Sequence, residues 1–147
     1  MMHQAAELIE SGRWTNPYRL ILVDEFQDTS RVRSRLIKAL LKTPDTRLFA
    51  VGDDWQAIYR FAGSDLSVMT NFEKEFGAAE IMHLSTTFRC SQTICDLSSR
   101  FVQQNPSQIK KNCRSVHSEV GLPIHLITVN NESEIYQAVS EEAARLS

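Results

Sequence analysis

Apolar residues fall into two contrasting patterns along this chain. Short continuous runs, Leu20-Ile21-Leu22-Val23 and Leu48-Phe49-Ala50-Val51, each lead directly into acids and turn residues. Such runs bounded by turn signals read as buried, parallel-type strands. Elsewhere apolar positions recur at helical spacing. Val32, Leu36, Ile37, Leu40 and Leu41 form one stripe between the two runs, behind Ser30 as a cap and ahead of Pro44 as a stop. The spacing predicts strands over 19–23 and 48–51 and a helix over 30–42, the strand-helix-strand order of a parallel crossover unit. It further predicts a helix over 3–10 and one over 66–76, with a third strand over 80–84. A helix from Ser91 to about Gln104 follows, with its stripe at Ile94, Leu97, Phe101 and Val102. Residues 108–120 read as a polar surface loop, and 124–129 as a fourth strand. Asn131 with Glu134 resembles a capping box for a last helix, apolar at Ile135, Ala138, Val139, Ala143 and Leu146.

At 147 residues the chain has room for one ordinary domain or two partial ones. With 42% hydrophobic and 23% charged residues it has the composition of a soluble globular protein, and a net charge of -2 gives no global basic footprint for nucleic acid. The basic residues Arg31, Arg33, Arg35 and Lys38 read first as a solvated helical face and second as a nucleic-acid surface. Cys90, Cys95 and Cys113 form no CxxC pair and, with scattered histidines, give no zinc pattern. Reduced thiols in a cytoplasmic protein are the simplest account. No apolar run approaches the roughly 20 residues that span a bilayer.

The chemistry gathers where strands end. Asp24 and Glu25 follow the first run, at the carboxyl edge where open α/β sheets bind ligands. One carboxylate of such a pair can hold a magnesium ion, and the other can orient and deprotonate water. Taken alone, the pair also reads as a solvated acidic turn. Gly52-Asp53-Asp54 repeats the arrangement after the second run, followed closely by Gln56, Tyr59 and Phe61. A glutamine amide can donate to phosphate and accept from water. Aromatics beside it can stack on nucleobases, although spacing alone places Tyr59 and Phe61 in the core. Arg89, in Ser85-Thr86-Thr87-Phe88-Arg89-Cys90-Ser91, stands between a strand and a capped helix. A lone arginine usually reads as a surface ion-pair residue, but this position is again at the functional edge of a sheet.

Three motifs thus stand in one order: VDEFQD, GDDWQAIYRF and TTFRCS. Their order and spacing resemble the UvrD/Rep-type superfamily 1 DNA helicases, specifically from about Leu20 to Ser91. The resemblance implies an α/β fold, a RecA-like parallel sheet flanked by helices, and an ATP-driven motor moving 3′ to 5′ on DNA. It implies Asp24 as the Mg2+-associated carboxylate, Glu25 as the base for water, and Gln56 as the glutamine near the γ-phosphate. Tyr59 and Phe61 would face DNA, Phe88 would stack on adenine, and Arg89 would reach the γ-phosphate from a second lobe. Residues 1–84 would then be the C-terminal part of the first RecA-like lobe and residues 85–147 the beginning of the second.

The chain departs from the family in places. Phe61-Ala62-Gly63-Ser64 stands where Trp-Arg-Gly-Ala is common, so an arginine contact to DNA lacks its counterpart. None of the five glycines begins GxxxxGK[ST], the loop that cradles phosphates. The expectation is an internal piece of a helicase, inactive alone and dependent on the rest of the helicase chain. Two other classes compete: a non-catalytic interaction module with a helicase-derived fold, and a magnesium-dependent nuclease using Asp24, Glu25, Asp53 and Asp54.

Overall fold

Leu20–Val23 forms strand β1 and Arg47–Ala50 forms strand β2 in a computed structural model of the chain, which describes residues 1–59, 61, 63–117 and 126–146. The strands pair in parallel, with Ile21 opposite Leu48 and Leu22 opposite Phe49. Helix α1, Met2–Glu10, precedes them and helix α2, Arg31–Leu41, connects them. The polar cap expected at Ser30 is made: its Oγ accepts from Arg33 N at 3.3 Å. Buried Asn16 ties the unit together, because its amide donates to Leu40 O at 3.1 Å and Thr46 Oγ1 at 3.3 Å. It thereby links the end of α2 to the approaches of both strands.

Two compact units divide the chain. The first comprises Met1–Ser85 with Ser99–Asn112, and its core centres on Phe26, Ile37 and Val68. Val23, Leu41, Leu48 and Ala50 pack on that core from the sheet and α2. Phe72 and Phe76 meet the Phe26 ring edge-on, at centroid distances of 5.4 and 5.7 Å. Alternate residues point the other way, leaving Leu20, Leu22, Phe49 and Val51 exposed on the opposite face of the sheet.

The helix predicted over 66–76 is two helices, α3 (Leu66–Thr70) and α4 (Phe72–Phe76). Asn71 breaks it, with φ −111 and ψ 35, and its side-chain amide donates back to Ser67 O at 3.1 Å. This local competition for backbone acceptors is what disfavours asparagine inside helices. Arg31 pairs with Asp65 and Glu75, Lys38 with Glu75, and Arg35 with Glu10. Arg31, Arg35 and Lys38 are therefore engaged with acids rather than merely solvated, while Arg33 donates from Nη1 to Asp28 O at 3.1 Å.

The second unit comprises Thr86–Ser98 and Cys113–Ser147. Strands β3 (Thr86–Thr87) and β4 (Arg114–Ser115) pair in parallel, and helix α5, Gln92–Val102, follows β3 and belongs to this unit as far as Ser98. The strand predicted over 80–84 is absent, and Ile81, Met82 and Leu84 are exposed. Pairing begins only at Thr86, where a partner strand lies alongside. That partner falls within the expected surface loop, whose described residues 108–117 include strand at Arg114–Ser115; 118–120 lie outside the described residues. Of the strand predicted over 124–129, residues 126–129 carry none, and 124 and 125 lie outside the described residues.

The α5 stripe is not core. Cys95 is buried, whereas Ile94, Leu97 and Phe101 are exposed. Ser91 does not cap α5 through its side chain, whose Oγ is buried without a partner. Helix α6, Ser133–Leu146, starts with Asn131 Oδ1 accepting from Glu134 N at 3.2 Å. The Glu134 carboxylate reaches back to Asn130 N at 3.0 Å, one residue earlier than the expected box. No helix of the described residues is long and apolar enough to cross a membrane.

Candidate active site

Glu25 sits immediately beyond β1 in the left-handed conformation, φ 48 and ψ 47. A non-glycine residue stays there only when its surroundings hold it. Three contacts do so. Phe26 is anchored in the core, and its N–H donates to Val51 O at 2.8 Å. Gln27, 2% exposed, donates from Nε2 to Glu25 Oε2 at 2.7 Å. The other end of the same amide, Oε1, accepts from Asp53 N at 3.0 Å. Gln27 therefore bridges the two acidic turns, holding the Glu25 carboxylate against the loop that carries Gln56.

Gln27 is a site residue that sequence reasoning missed. It lies inside the quoted VDEFQD motif, but the second of its two partners, Asp53, is 26 positions away and nothing local announces the bridge.

The bridge requires Gly52. A Cβ there would lie 2.8 Å from Gln27 Oε1, 3.0 Å from Phe26 N and 3.1 Å from Gln27 N. Two of those neighbours are backbone atoms and cannot move cheaply. Gly52→Ala is expected to cost about 1–3 kcal/mol of stability, as overpacking does. Thermal unfolding checks this, and an unchanged melting temperature would show that the two turns can separate at no cost.

Beyond Gly52, Asp53 Oδ1 accepts from Trp55 N at 3.1 Å and opens a 3₁₀ turn, Asp54–Gln56. Gln56 Nε2 donates to Asp53 Oδ2 at 2.8 Å. Burial pushes the Asp53 carboxyl up, but hydrogen bonds from Lys111 and Gln56 outweigh it and hold the group below the ordinary carboxylate range. Asp54 is 1% exposed. Its oxygens accept from Lys111 Nζ at 2.8 Å and Ile109 N at 2.7 Å. Neither acid is available to a four-carboxylate nuclease centre, and no cluster of three or more potential metal ligands exists among the described residues.

An open cavity of about 660 Å³ joins the two turns, lined by Glu25, Gln27, Asp28, Trp55, Gln56, Ile58 and Tyr59. Glu25 and Gln56 thus share one cleft. Asp24 does not line it; it is exposed beside it, with Oδ1 accepting from Glu25 N at 2.9 Å. Asp28 Oδ1 is buried without a partner. A rim of carboxylate acceptors suits a hydrated divalent cation held by one or two carboxylates and phosphate.

Tyr59 and Phe61 are not core residues, contrary to their spacing. They are 48% and 86% exposed, with ring centroids 5.9 Å apart.

Phe88 and Arg89 belong to the second unit, in the turn from β3 to α5. Phe88 is 73% exposed, and the Arg89 side chain makes no ion pair among the described residues. Their backbone is fixed from β4. Ser115 Oγ donates to Cys90 O at 2.5 Å, and His117 Nε2 lies 2.6 Å from Phe88 O.

A family model described as the UvrD/REP helicase N-terminal domain matches residues 1–77. The chain belongs to the UvrD/Rep helicase family. It is 50% identical over 117 residues to DNA helicase IV of Escherichia coli (strain K12), covering 79% of this chain and 17% of that protein. To the ATP-dependent DNA helicase Rep of the same organism it is 31% identical over 132 residues, 88% of this chain and 19% of Rep. To the ATP-dependent DNA helicase srs2 of Schizosaccharomyces pombe it is 31% identical over 121 residues, 82% of this chain and 14% of that protein. The chain therefore spans less than a fifth of the length of each of these helicases. Both acidic turns of the cleft lie within the stretch that the family model matches.

Proposed function

We propose that this chain forms part of an ATP-dependent DNA helicase motor moving 3′ to 5′, and that the Glu25–Gln56 cleft is its hydrolytic site. The observation that carries the reading is the Gln27 bridge, which holds a carboxylate and a glutamine-bearing loop against one cavity. In this reading residues 1–84 are the back half of a first RecA-like lobe and residues 85–147 open a second. Asp24 is the residue that would hold Mg2+, which when bound neutralises phosphate charge. Glu25 accepts the proton of the attacking water, and Gln56 contacts the γ-phosphate. Phe88 stacks on adenine and Arg89 reaches the γ-phosphate. The uncovered apolar face of the sheet, Leu20, Leu22, Phe49 and Val51, supports a lobe completed by further helicase chain. A cytoplasmic setting keeps the three free thiols reduced.

The sequence lacks the loop of backbone N–H groups and lysine that holds phosphates. The isolated chain is therefore expected neither to hydrolyse ATP nor to bind it tightly. Activity should appear in a chimera in which this chain replaces the corresponding stretch of DNA helicase IV. Titration calorimetry on the chain and DNA-stimulated ATPase assays on the chimera test both halves. Turnover by the isolated chain, or a folded but inactive chimera, would count against the reading.

Tyr59 and Phe61 are read as the grip on DNA. Phe61→Ala in the chimera should weaken single-stranded DNA binding about 5- to 150-fold, the value of one base stack. Melting should be unaffected, because the ring is 86% exposed. Normal affinity in a fluorescence anisotropy titration would remove Phe61 from the DNA path.

A further inference from the structure

Lys111 is presented to the Gly52-Asp53-Asp54 turn from a segment far away in sequence. The segment is fixed at three points. Ile109 N donates to Asp54 Oδ2 at 2.7 Å, Trp55 Nε1 donates to Ile109 O at 3.0 Å, and Gln103 Nε2 donates to Lys111 O at 3.2 Å. From this ordered backbone the ammonium bonds to Asp53 Oδ1 and to Asp54 Oδ1, and lies 4.8 Å from the centroid of the Trp55 ring. A lysine delivered this way gives up less freedom than one swinging from the surface, so its ion pairs are worth more than exposed ones. The Lys111 side chain is 27% exposed.

Anchoring the segment does not require the Asp53 contact. Asp54 already receives the Ile109 N–H, and Trp55 already donates to the Ile109 carbonyl. What Asp53 does instead is hold Gln56, through Oδ2 at 2.8 Å. A carboxylate one hydrogen bond from a phosphate-reading amide repels phosphate unless its charge is balanced. We propose that Lys111 is a positioning residue of this cleft: shared between Asp53 and Asp54, it offsets the Asp53 charge, keeps that carboxylate set against the Gln56 amide, and so lessens the repulsion that an anionic phosphate meets there. The role rests on the ATPase reading of the cleft. The pairing that underlies it can be tested without that reading.

The isolated chain carries the first test, an NMR titration of the Asp53 carboxyl. It should titrate below the ordinary range in the native chain and in Lys111→Arg, and higher in Lys111→Met. An Asp53 that does not move in Lys111→Met overturns the proposal. The second test uses the helicase IV chimera. There Lys111→Met should raise KM for ATP on the order of tenfold, the scale of one unbalanced, half-buried charge beside an anion, with kcat changed less. Lys111→Arg should restore most of the affinity. Asp53→Asn placed in the Lys111→Met background should restore part of it, since the acid beside Gln56 is gone while Asp54 keeps its bond from Ile109 N. A double variant as impaired as Lys111→Met makes the lysine a structural strap and overturns the proposal. Unfolding of Lys111→Met that Asp53→Asn does not reverse has the same meaning. A chimera inactive with native residues counts against the ATPase reading instead, and the Asp53 titration then decides the pairing by itself.

Discussion

Arg89→Ala in the helicase IV chimera is expected to lower ATP turnover by about 10³- to 10⁵-fold, the range measured for arginine fingers. A guanidinium on the γ-phosphate stabilises charge that develops during transfer, so its removal should cost rate far more than nucleotide affinity. Three features of the turn suit that role. The side chain has no carboxylate partner among the described residues, so its charge is not already committed. Ser115 and His117 hold the carbonyls on either side of it, at 2.5 and 2.6 Å. Arg89 N donates to Thr87 Oγ1 at 3.3 Å. The arginine therefore projects from a braced turn, so less backbone freedom remains to be lost on reaching phosphate. Arg89→Lys keeps charge but loses the planar fork, and should fall between Ala and the native residue. Steady-state ATPase assays with nucleotide binding measured in parallel separate rate from affinity. Near-normal turnover in Arg89→Ala would return this residue to the surface.

What the sequence reveals, and what it hides, follows from where each partner lies. β1, α2 and β2 are legible because their signals are local: two apolar runs, one helical stripe, and the Ser30 cap. The acidic turns are legible for the same reason, since strand ends announce them. Pairing at a distance is not. Glu80-Ile81-Met82-His83-Leu84 looks like a strand by composition, yet without a partner strand it stays unpaired and exposed. Thr86–Thr87 looks like nothing and is a strand because Arg114–Ser115 lies beside it. The same logic hid the roles of Gln27 and Lys111, whose partners stand 26 and 58 positions away. Tyr59 and Phe61 misled in the opposite direction. Aromatic spacing suggests a core, but the first unit fills its core with Phe26, Phe72 and Phe76 instead.

Glu25→Gln carries the other large expectation. In the chimera it should retain nucleotide binding while turnover falls about 10²- to 10⁴-fold, the usual contribution of a positioned general base. The substitution is nearly isosteric. Its amide oxygen can still accept from Gln27 Nε2, which now reaches Glu25 Oε2 at 2.7 Å. Of the contacts that hold the left-handed backbone here, Phe26 in the core and the Phe26 N–H to Val51 O do not involve the carboxylate, and the Gln27 bond survives at the amide oxygen. Folding and geometry should therefore survive, and only the capacity to take a proton is lost. Asp24→Asn should behave differently: it removes the carboxylate proposed to hold a cation, so the magnesium-dependent part of nucleotide affinity should weaken. Gln27→Ala supplies a third pattern. It leaves both acids intact but removes the bond that orients Glu25 and the acceptor that receives Asp53 N. Turnover should drop through misplacement, with stability lowered as well, because Gln27 is buried. Nucleotide titrations with and without magnesium, single-turnover hydrolysis and thermal melting on the three variants distinguish base, metal ligand and brace. If Glu25→Gln hydrolyses ATP at the native rate, proton acceptance lies elsewhere, and the cleft between the two acidic turns is not where water is activated.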